Sequence, residues 1–254
     1  MTYLGFRSSG SASRQGVLFL ALLALVAIPV LRAQSPEAPA APPDPGAEGI
    51  GLRERMSRLV ERVKYEQNRI ETLQARLVQY ESSELLLEPE ESQGWFRYRP
   101  PEELRWEIVE PDPMVVTVRG DVATTWYADL GTAKVAEVGR LSEHVLVYLG
   151  PAGSLETLMK YFTVRVEFPE EEGAPYYLHL TADYRRVEKY ARTIDIWIDP
   201  ETFLPRSFKV VGASGDELLI ELEDMVLNEP IDDEEFILTL PDDVEVTKVD
   251  LKKP

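Results

Sequence analysis

The stretch GWFRYRPPEELRW, residues 94–106, contains two strand-like segments on either side of a Pro-Pro corner. Side chains alternate between the two faces of a strand, so each segment is expected to carry a different set of residues on each face. In the first segment these sets are Trp95, Arg97 and Arg99 on one face, and Phe96 and Tyr98 on the other. In the second, Leu104, Trp106 and Ile108 form an apolar face. The pattern predicts an antiparallel strand pair that begins a sheet around something apolar.

Short strands separated by turns continue from this pair almost to the end of the chain. Such a sheet is expected to be mostly antiparallel and, with more than about ten strands, to curl into a barrel or half-barrel whose inside is the natural ligand site. An apolar segment at 141–150 and a short helix at 154–161 interrupt the series. The candidate strands are 84–87, 94–98, 103–109, 114–119, 122–127, 132–138, 161–168, 176–182, 193–198, 205–211, 217–225 and 244–249.

Upstream of the strands, residues 52–82 have a heptad-like apolar spacing that includes Met56, Val63, Ile70 and Leu77. The spacing predicts one long amphipathic helix lying on the sheet. A coiled coil is the alternative, but Glu66 interrupts the stripe and no second partner helix is predicted.

The N-terminus has the order of an export signal: two arginines, an apolar run over 16–31, and then Arg32 and Ala33. Residues 1–33 are predicted to be a signal peptide, with an uncleaved anchor as the alternative. The Pro- and Ala-rich residues 34–51 predict a disordered leader, and residues 52–254 a single domain. The folded part is therefore expected outside the cytoplasm.

Composition argues against several classes of function. The formal net charge is −18, which repels nucleic acid and anionic membrane surfaces. The chain has no cysteine, hence no disulfide and no thiol nucleophile, and its two histidines, His144 and His179, are far apart in sequence. No G-x-S-x-G motif occurs, and the acidic runs have the character of solvated loops. Neither a metal site nor a cofactor is expected, and an enzyme built on two inward-facing carboxylates is the weaker alternative.

Large apolar side chains on the predicted strands are the remaining candidates for a binding site. By composition alone they would form an ordinary core, but a curved sheet with one covering helix could leave part of them as a cavity for a hydrophobic ligand. The candidates for lining this lipid-binding cavity are Trp95, Leu104, Trp106, Ile108, Val116, Trp126, Trp197 and Phe208.

Several short motifs occur together in a characteristic order. Gly94, Arg99-Pro100 and Leu104-Arg105-Trp106 come first, and IDIWID at 194–199 and Leu204-Pro205 follow. ELEDMVLN at 221–228 and FILTLPDDVEV at 236–246 close the series. With the export signal and the first helix, this order resembles the LolA family of periplasmic outer-membrane lipoprotein carriers, over about residues 59–249.

The resemblance implies an α+β fold, an incomplete, mostly antiparallel β-barrel of about eleven strands closed by helices. It implies a cavity for lipoprotein acyl chains, received from an ATP-driven (ABC-type) inner-membrane exporter and passed to an outer-membrane acceptor, with no catalysis. Arg99 matches the family's arginine that gates release by hydrogen bonding to the lid helices, whereas a plain strand-end arginine is the alternative. The chain is expected to be monomeric, and a lipid- or envelope-stress-sensing regulator of the same fold is the competing function.

Overall fold

The computed structural model of the chain describes residues 40–83, 86, 88–137 and 155–249, apart from the side chain of Thr157. The predicted signal peptide, most of the candidate strand at 84–87 and the apolar segment at 141–150 lie outside the described residues.

The described elements are three helices, two short 3-10 turns and twelve strands. The helices are α1 (Leu52–Gln67), α2 (Leu155–Leu158) and α3 (Arg185–Glu188), and the 3-10 turns are Ala128–Leu130 and Asp233–Phe236. The strands are β1 (Leu73–Ser82), β2 (Glu90–Arg99), β3 (Glu103–Glu110), β4 (Met114–Arg119), β5 (Val122–Tyr127), β6 (Thr132–Glu137), β7 (Phe162–Glu167), β8 (Tyr176–Ala182), β9 (Thr193–Ile198), β10 (Pro205–Val211), β11 (Glu217–Leu227) and β12 (Glu245–Val249).

All twelve strands belong to one sheet in the order β12-β6-β5-β4-β3-β2-β1-β11-β10-β9-β8-β7. Neighbours are antiparallel except for β12, which runs parallel to β6. Pairing of β1 with β11 joins the N-terminal and C-terminal halves of the sheet. The expectation of an open, mostly antiparallel sheet that forms an incomplete barrel is confirmed.

The predicted helix over 52–82 is wrong in its second half, because the helix ends at Gln67 and β1 follows from Leu73. Leu73, Ala75 and Leu77 alternate with polar residues and are buried on one face of β1. The spacing from Leu73 to Leu77 is four residues, which suits one face of a helix and also one face of a strand. The hydrophobic repeat therefore continued unchanged across a change of secondary structure.

The two faces of the sheet differ in burial. The inner face is defined here as the one whose side chains form the hydrophobic core together with Leu59 and Val63 of α1. Phe96, Trp106 and Phe208 are typical members, and the opposite face is called the outer face. None of the helices in the described part of the chain combines the length and apolar character needed to cross a membrane.

Helix α1 is held over one half of the sheet by its arginines as well as by its apolar side. The guanidinium carbon of Arg55 lies 3.8 Å from the ring centroid of Phe168, and that of Arg62 lies 4.7 Å from the ring of Phe203. Arg55 Nε also donates to the carbonyl of Pro45 at 3.2 Å, and Arg58 Nη1 to that of Asp44 at 3.3 Å. The described end of the leader, which the sequence predicts to be disordered, thus runs along α1.

Gly94 marks an irregularity in the β2–β3 pair. The register shifts between Gln93 and Gly94, and a Cβ atom at position 94 would lie 1.7 Å from the carbonyl oxygen of Glu107. Only glycine permits this close approach of the two backbones. The Pro100–Pro101 corner that follows contains a cis peptide bond.

Candidate functional site

A row of paired residues crosses the inner face over six neighbouring strands. Trp106 on β3 lies between Phe96 on β2 and Val116 on β4, and the Phe96 and Trp106 rings meet edge to face with centroids 5.9 Å apart. Every member of the row up to β5 is buried, so this half of the face is a continuous surface with an apolar centre. From β1 to β6 the row runs Ala75, Phe96, Trp106, Val116, Thr125 and Lys134.

A second row crosses the other half of the sheet, from β11 to β7. Phe208 on β10 lies between Ile220 and Ile196, and Leu178 on β8 continues the line. These four side chains are almost fully buried. In the order of the strands the row is Ile220, Phe208, Ile196, Leu178 and Val166. Together the two rows place apolar side chains on the inner face of consecutive strands in both halves of the sheet.

The structure divides the eight residues predicted to line a cavity into two sets. Five lie buried on the inner face and belong to one core: Leu104, Trp106, Ile108, Val116 and Phe208. The other three are brought to the outer face. Trp95 is 48% exposed there, Trp126 is paired with Ala133, and Trp197 stacks on Tyr177 with ring centroids 5.3 Å apart. Each of these three is adjacent in sequence to an inner-face residue, and strict alternation sends it to the other side.

Polar side chains on the inner face were missed by sequence reasoning. The hydroxyl of Tyr127 and Oε1 of Gln79 are buried without a hydrogen-bond partner among the described residues. Burial raises the pKa of Tyr127 above its usual value, and it raises that of Tyr98, elsewhere on the inner face, to about 12. Only the strand register reveals that these groups face inward, because Tyr, Gln and Lys carry no alternation signal of their own.

Arg99, the predicted latch, lies at the end of β2 on the outer face. Its Nε donates to Glu103 at 2.6 Å, and its Nη1 donates to Asp233 at 2.7 Å. Its guanidinium carbon also lies 4.7 Å from the ring centroid of Phe236. These hydrogen bonds, first the one to Asp233, raise the pKa of Arg99. Arg99 thus connects the Pro-Pro corner to residues 229–237, which we call the C-terminal segment.

The C-terminal segment packs on the outer face through its 3-10 turn, which contacts β3 and β4. Phe236 is buried there, and Arg97 Nε forms an ion pair with Glu235 at 3.3 Å. Among the described residues, the side-chain hydrogen bonds and ion pairs of Arg99 are to Glu103 of β3 and to this segment. That Arg99 gates release by hydrogen bonding to lid helices stays a prediction.

A second polar cluster lies on the outer face of β8 and β9. Asp195 Oδ1 accepts a hydrogen bond from the hydroxyl of Tyr177 at 2.6 Å and lies 2.6 Å from His179 Nδ1. Burial and the bond to Asp195 raise the pKa of Tyr177 to about 12. The part of the chain that the structure describes contains no group of three or more His, Asp or Glu residues placed to hold a metal ion.

Comparison with known families gives one match that covers most of the chain. Residues 68–239 match the sequence model of the family described as outer membrane lipoprotein carrier protein LolA. The matched range begins just before β1 and ends after the 3-10 turn at Asp233–Phe236, so it includes eleven of the twelve strands. No curated protein is significantly similar to the chain in sequence.

Solved structures of similar fold are distant in sequence. An uncharacterized conserved protein from Thermus thermophilus is 12% identical, with a TM-score of 0.48, over 76% of this chain and 99% of that one. The lipoprotein LppX of Mycobacterium tuberculosis is 13% identical, with a TM-score of 0.41, over 68% and 95%. MucB in the Pseudomonas aeruginosa MucA/MucB complex is 13% identical, with a TM-score of 0.44, over 76% and 63%.

Proposed function

The chain belongs to the LolA family, and from that premise we propose that it is a periplasmic carrier of lipoproteins. In this proposal the inner face shields the acyl chains of a lipoprotein while the carrier takes that lipoprotein from the inner to the outer membrane. The donor is an ABC-type exporter of the inner membrane, and the recipient is an acceptor at the outer membrane. The carrier acts as a monomer, without a cofactor or a catalytic step.

The observation that carries the proposal is the apolar character of the inner face. Its central side chains, from Phe96 through Trp106 to Val116 and from Ile220 through Phe208 to Leu178, are apolar in consecutive strands. Transfer of one CH₂ group from water to an apolar site is favourable by about 0.8 kcal/mol. An acyl chain of about 16 carbons therefore gains on the order of 10 kcal/mol by leaving water, which is the scale a lipid carrier has to supply.

Five predicted cavity residues support the proposal by their position. Leu104, Trp106, Ile108, Val116 and Phe208 are on the face that also contacts α1. A helix over one half of an open sheet could move to admit a chain without disturbing the strand pairing. The predicted signal peptide over residues 1–33 supplies the export that a periplasmic carrier requires.

Release of cargo is proposed to depend on Arg99. Its partners Asp233 and Glu103 fix the end of β2 relative to the C-terminal segment, so loss of the arginine would alter how this end of the sheet moves. The Arg99→Leu protein is expected to fold and to bind a lipid probe but to hand over cargo abnormally. Normal transfer by that variant would contradict a gating role.

The direct test is mass spectrometry of lipid extracted from the purified protein. The proposal predicts co-purified acyl lipid or, after delipidation, uptake of an apolar fluorescent probe followed by transfer of a lipoprotein to outer-membrane vesicles. Binding without transfer would favour the competing function, a lipid-sensing regulator. Absence of both lipid and probe uptake would contradict the carrier.

A further inference from the structure

The apolar row on the inner face ends in polar side chains at β5 and β6. Tyr127 on β5 is paired with Met114 on β4, and it belongs to the same core as Trp106. It is only 7% exposed, and its hydroxyl has no hydrogen-bond partner among the described residues. A buried hydroxyl that lacks a hydrogen-bond partner is destabilising, so native proteins rarely leave one without a reason.

Lys134 on β6 lies diagonally opposite Tyr127 on the same face. The register pairs Lys134 with Thr125 and Tyr127 with Thr132, and Lys134 Nζ lies 5.3 Å from the centroid of the Tyr127 ring. Lys134 is partly buried. Within the described ranges it forms no ion pair with a carboxylate, whereas Lys64 pairs with Glu156 and Lys209 with Glu217.

Among the described residues, the ammonium group of Lys134 contacts the Tyr127 ring but no carboxylate, which is unexpected on the inner face of a chain with a net charge of −18. The hydroxyl of Tyr127 and the ammonium of Lys134 are both hydrogen-bond donors, and an ammonium group has no acceptor. A ligand that satisfied both groups would bring a negatively charged oxygen.

We propose that Tyr127 and Lys134 bind the anionic head group of a lipid, a carboxylate or a phosphate, whose acyl chain lies along the apolar row. Met114 and Val116, on the strand next to β5, are the first apolar residues that the chain would meet. A cationic or amine head group is disfavoured because Lys134 would repel it. This inference rests on the proposed function for the binding of acyl chains to the inner face, and it adds a lipid with an anionic head group to the ligands of that face.

The test compares ligands that share one acyl chain and differ in head group. Oleate, oleoyl lysophosphatidate and oleyl alcohol are titrated into the delipidated full-length protein by calorimetry, each below its critical micelle concentration. Charge-assisted hydrogen bonds are stronger than neutral ones, so one of the anions is expected to bind at least about ten-fold more tightly than the alcohol. The preferred anion identifies the carboxylate or the phosphate as the head group.

Two variants test whether Tyr127 and Lys134 cause the preference for an anionic head group. Tyr127→Phe removes only the hydroxyl and Lys134→Met only the charge, and each is expected to weaken anion binding about ten-fold and to leave alcohol binding unchanged. Tyr98→Phe and Lys248→Met are the matched controls, because Tyr98 is a buried tyrosine elsewhere on the inner face and Lys248 is an exposed lysine on β12. Both controls should retain the preference.

The outcomes separate this inference from the proposed function. If neither the anions nor the alcohol bind, the carrier proposal itself fails. If all three ligands bind equally, or if Tyr127→Phe and Lys134→Met weaken anion and alcohol binding by the same factor, the inner face binds acyl chains but the head-group site is refuted.

Discussion

Arg99 Nη1 and Asp233 Oδ1 are 2.7 Å apart, and this contact joins β2 to a segment more than a hundred residues later in the chain. The same Nη1 lies 3.4 Å from the carbonyl oxygen of Ile231. Because Phe236 is buried three residues beyond Asp233, the arginine and the aromatic ring hold the C-terminal segment at two points. The C-terminal segment is therefore fixed on the outer face of the sheet.

Replacing Arg99 with leucine is expected to loosen the C-terminal segment. The change removes the bonds to Asp233 and Glu103 and the contact with the Phe236 ring, so the free energy of unfolding should fall by about 1 to 2 kcal/mol. Urea denaturation measures this loss, and amide hydrogen exchange should speed up in residues 230–237. The control is Asp233→Asn, which should cost less than about 1 kcal/mol because Asp233 is 77% exposed. Unchanged exchange in Arg99→Leu would contradict the contact's role.

Gly94→Ala is expected to disrupt the β2–β3 pair. The added Cβ would lie 1.7 Å from the carbonyl oxygen of Glu107, which is backbone and cannot rotate away. We expect a loss of at least about 3 kcal/mol in the free energy of unfolding, since the strands would have to separate. Gly212→Ala is the matched control, because its Cβ would meet no atom closer than 3.7 Å. A Gly94→Ala protein as stable as the control would contradict the close approach of the β2 and β3 backbones at this position.

Val115 and Val116 are neighbours on β4 that are both buried but lie on opposite faces. Valine and threonine have nearly the same shape, so Val→Thr at either site should cost a similar amount, about 1 to 2 kcal/mol, through the buried hydroxyl. Only Val116→Thr is expected to weaken uptake of an apolar fluorescent probe, by several-fold. Equal probe affinity in the two variants would argue that the ligand does not lie on the inner face.

Glu81 gives the protein a dependence on pH. Burial, followed by the charges of Glu90 and Asp216, raises the pKa of the Glu81 carboxyl above its usual value. Because the folded state favours the protonated carboxyl, the protein has its full free energy of unfolding below the ordinary glutamate pKa of about 4.3. Part of this free energy is lost as the pH rises through the raised pKa of the folded state. Glu81→Gln should therefore be more stable than the parent at pH 7 and equal to it near pH 4. Urea denaturation at both pH values measures the difference, and Glu91→Gln, on the exposed side of β2, is the control. A Glu81→Gln effect that does not change with pH would show that the raised pKa of Glu81 is not its cause.

Alternation was sufficient to predict much of the sheet. Phe96, Trp106 and Val116 recur at even spacing in segments bounded by proline, glycine or acidic turns, and each segment lies in a strand. The first of these strands begins at Glu90, four residues before its predicted start. The same signal failed between Gln67 and Leu73, where an apolar repeat of four residues suited a helix and a strand equally well.

The membership of each face was harder to predict than the strands. A one-residue difference in register moves a side chain to the other face, so Trp95 was grouped with Trp106 although the two lie on opposite sides. Tyr127 and Lys134 are brought together only by the β5–β6 pairing. The contact of Arg99 with Asp233 depends on a return of the chain over the outer face, for which a single sequence carries no local signal.

Photolabelling tests the central claim, that the inner face takes acyl chains, most directly. A palmitate analogue with a diazirine on its chain is bound to the delipidated protein, irradiated, and mapped by peptide mass spectrometry. Labels are expected on Trp106, Val116 and Phe208, and excess palmitate should suppress them. Labels on the outer-face residues Trp95, Trp126 and Trp197 in place of the inner-face residues would contradict the binding of acyl chains to the inner face. A set of labels that palmitate does not suppress would contradict it as well.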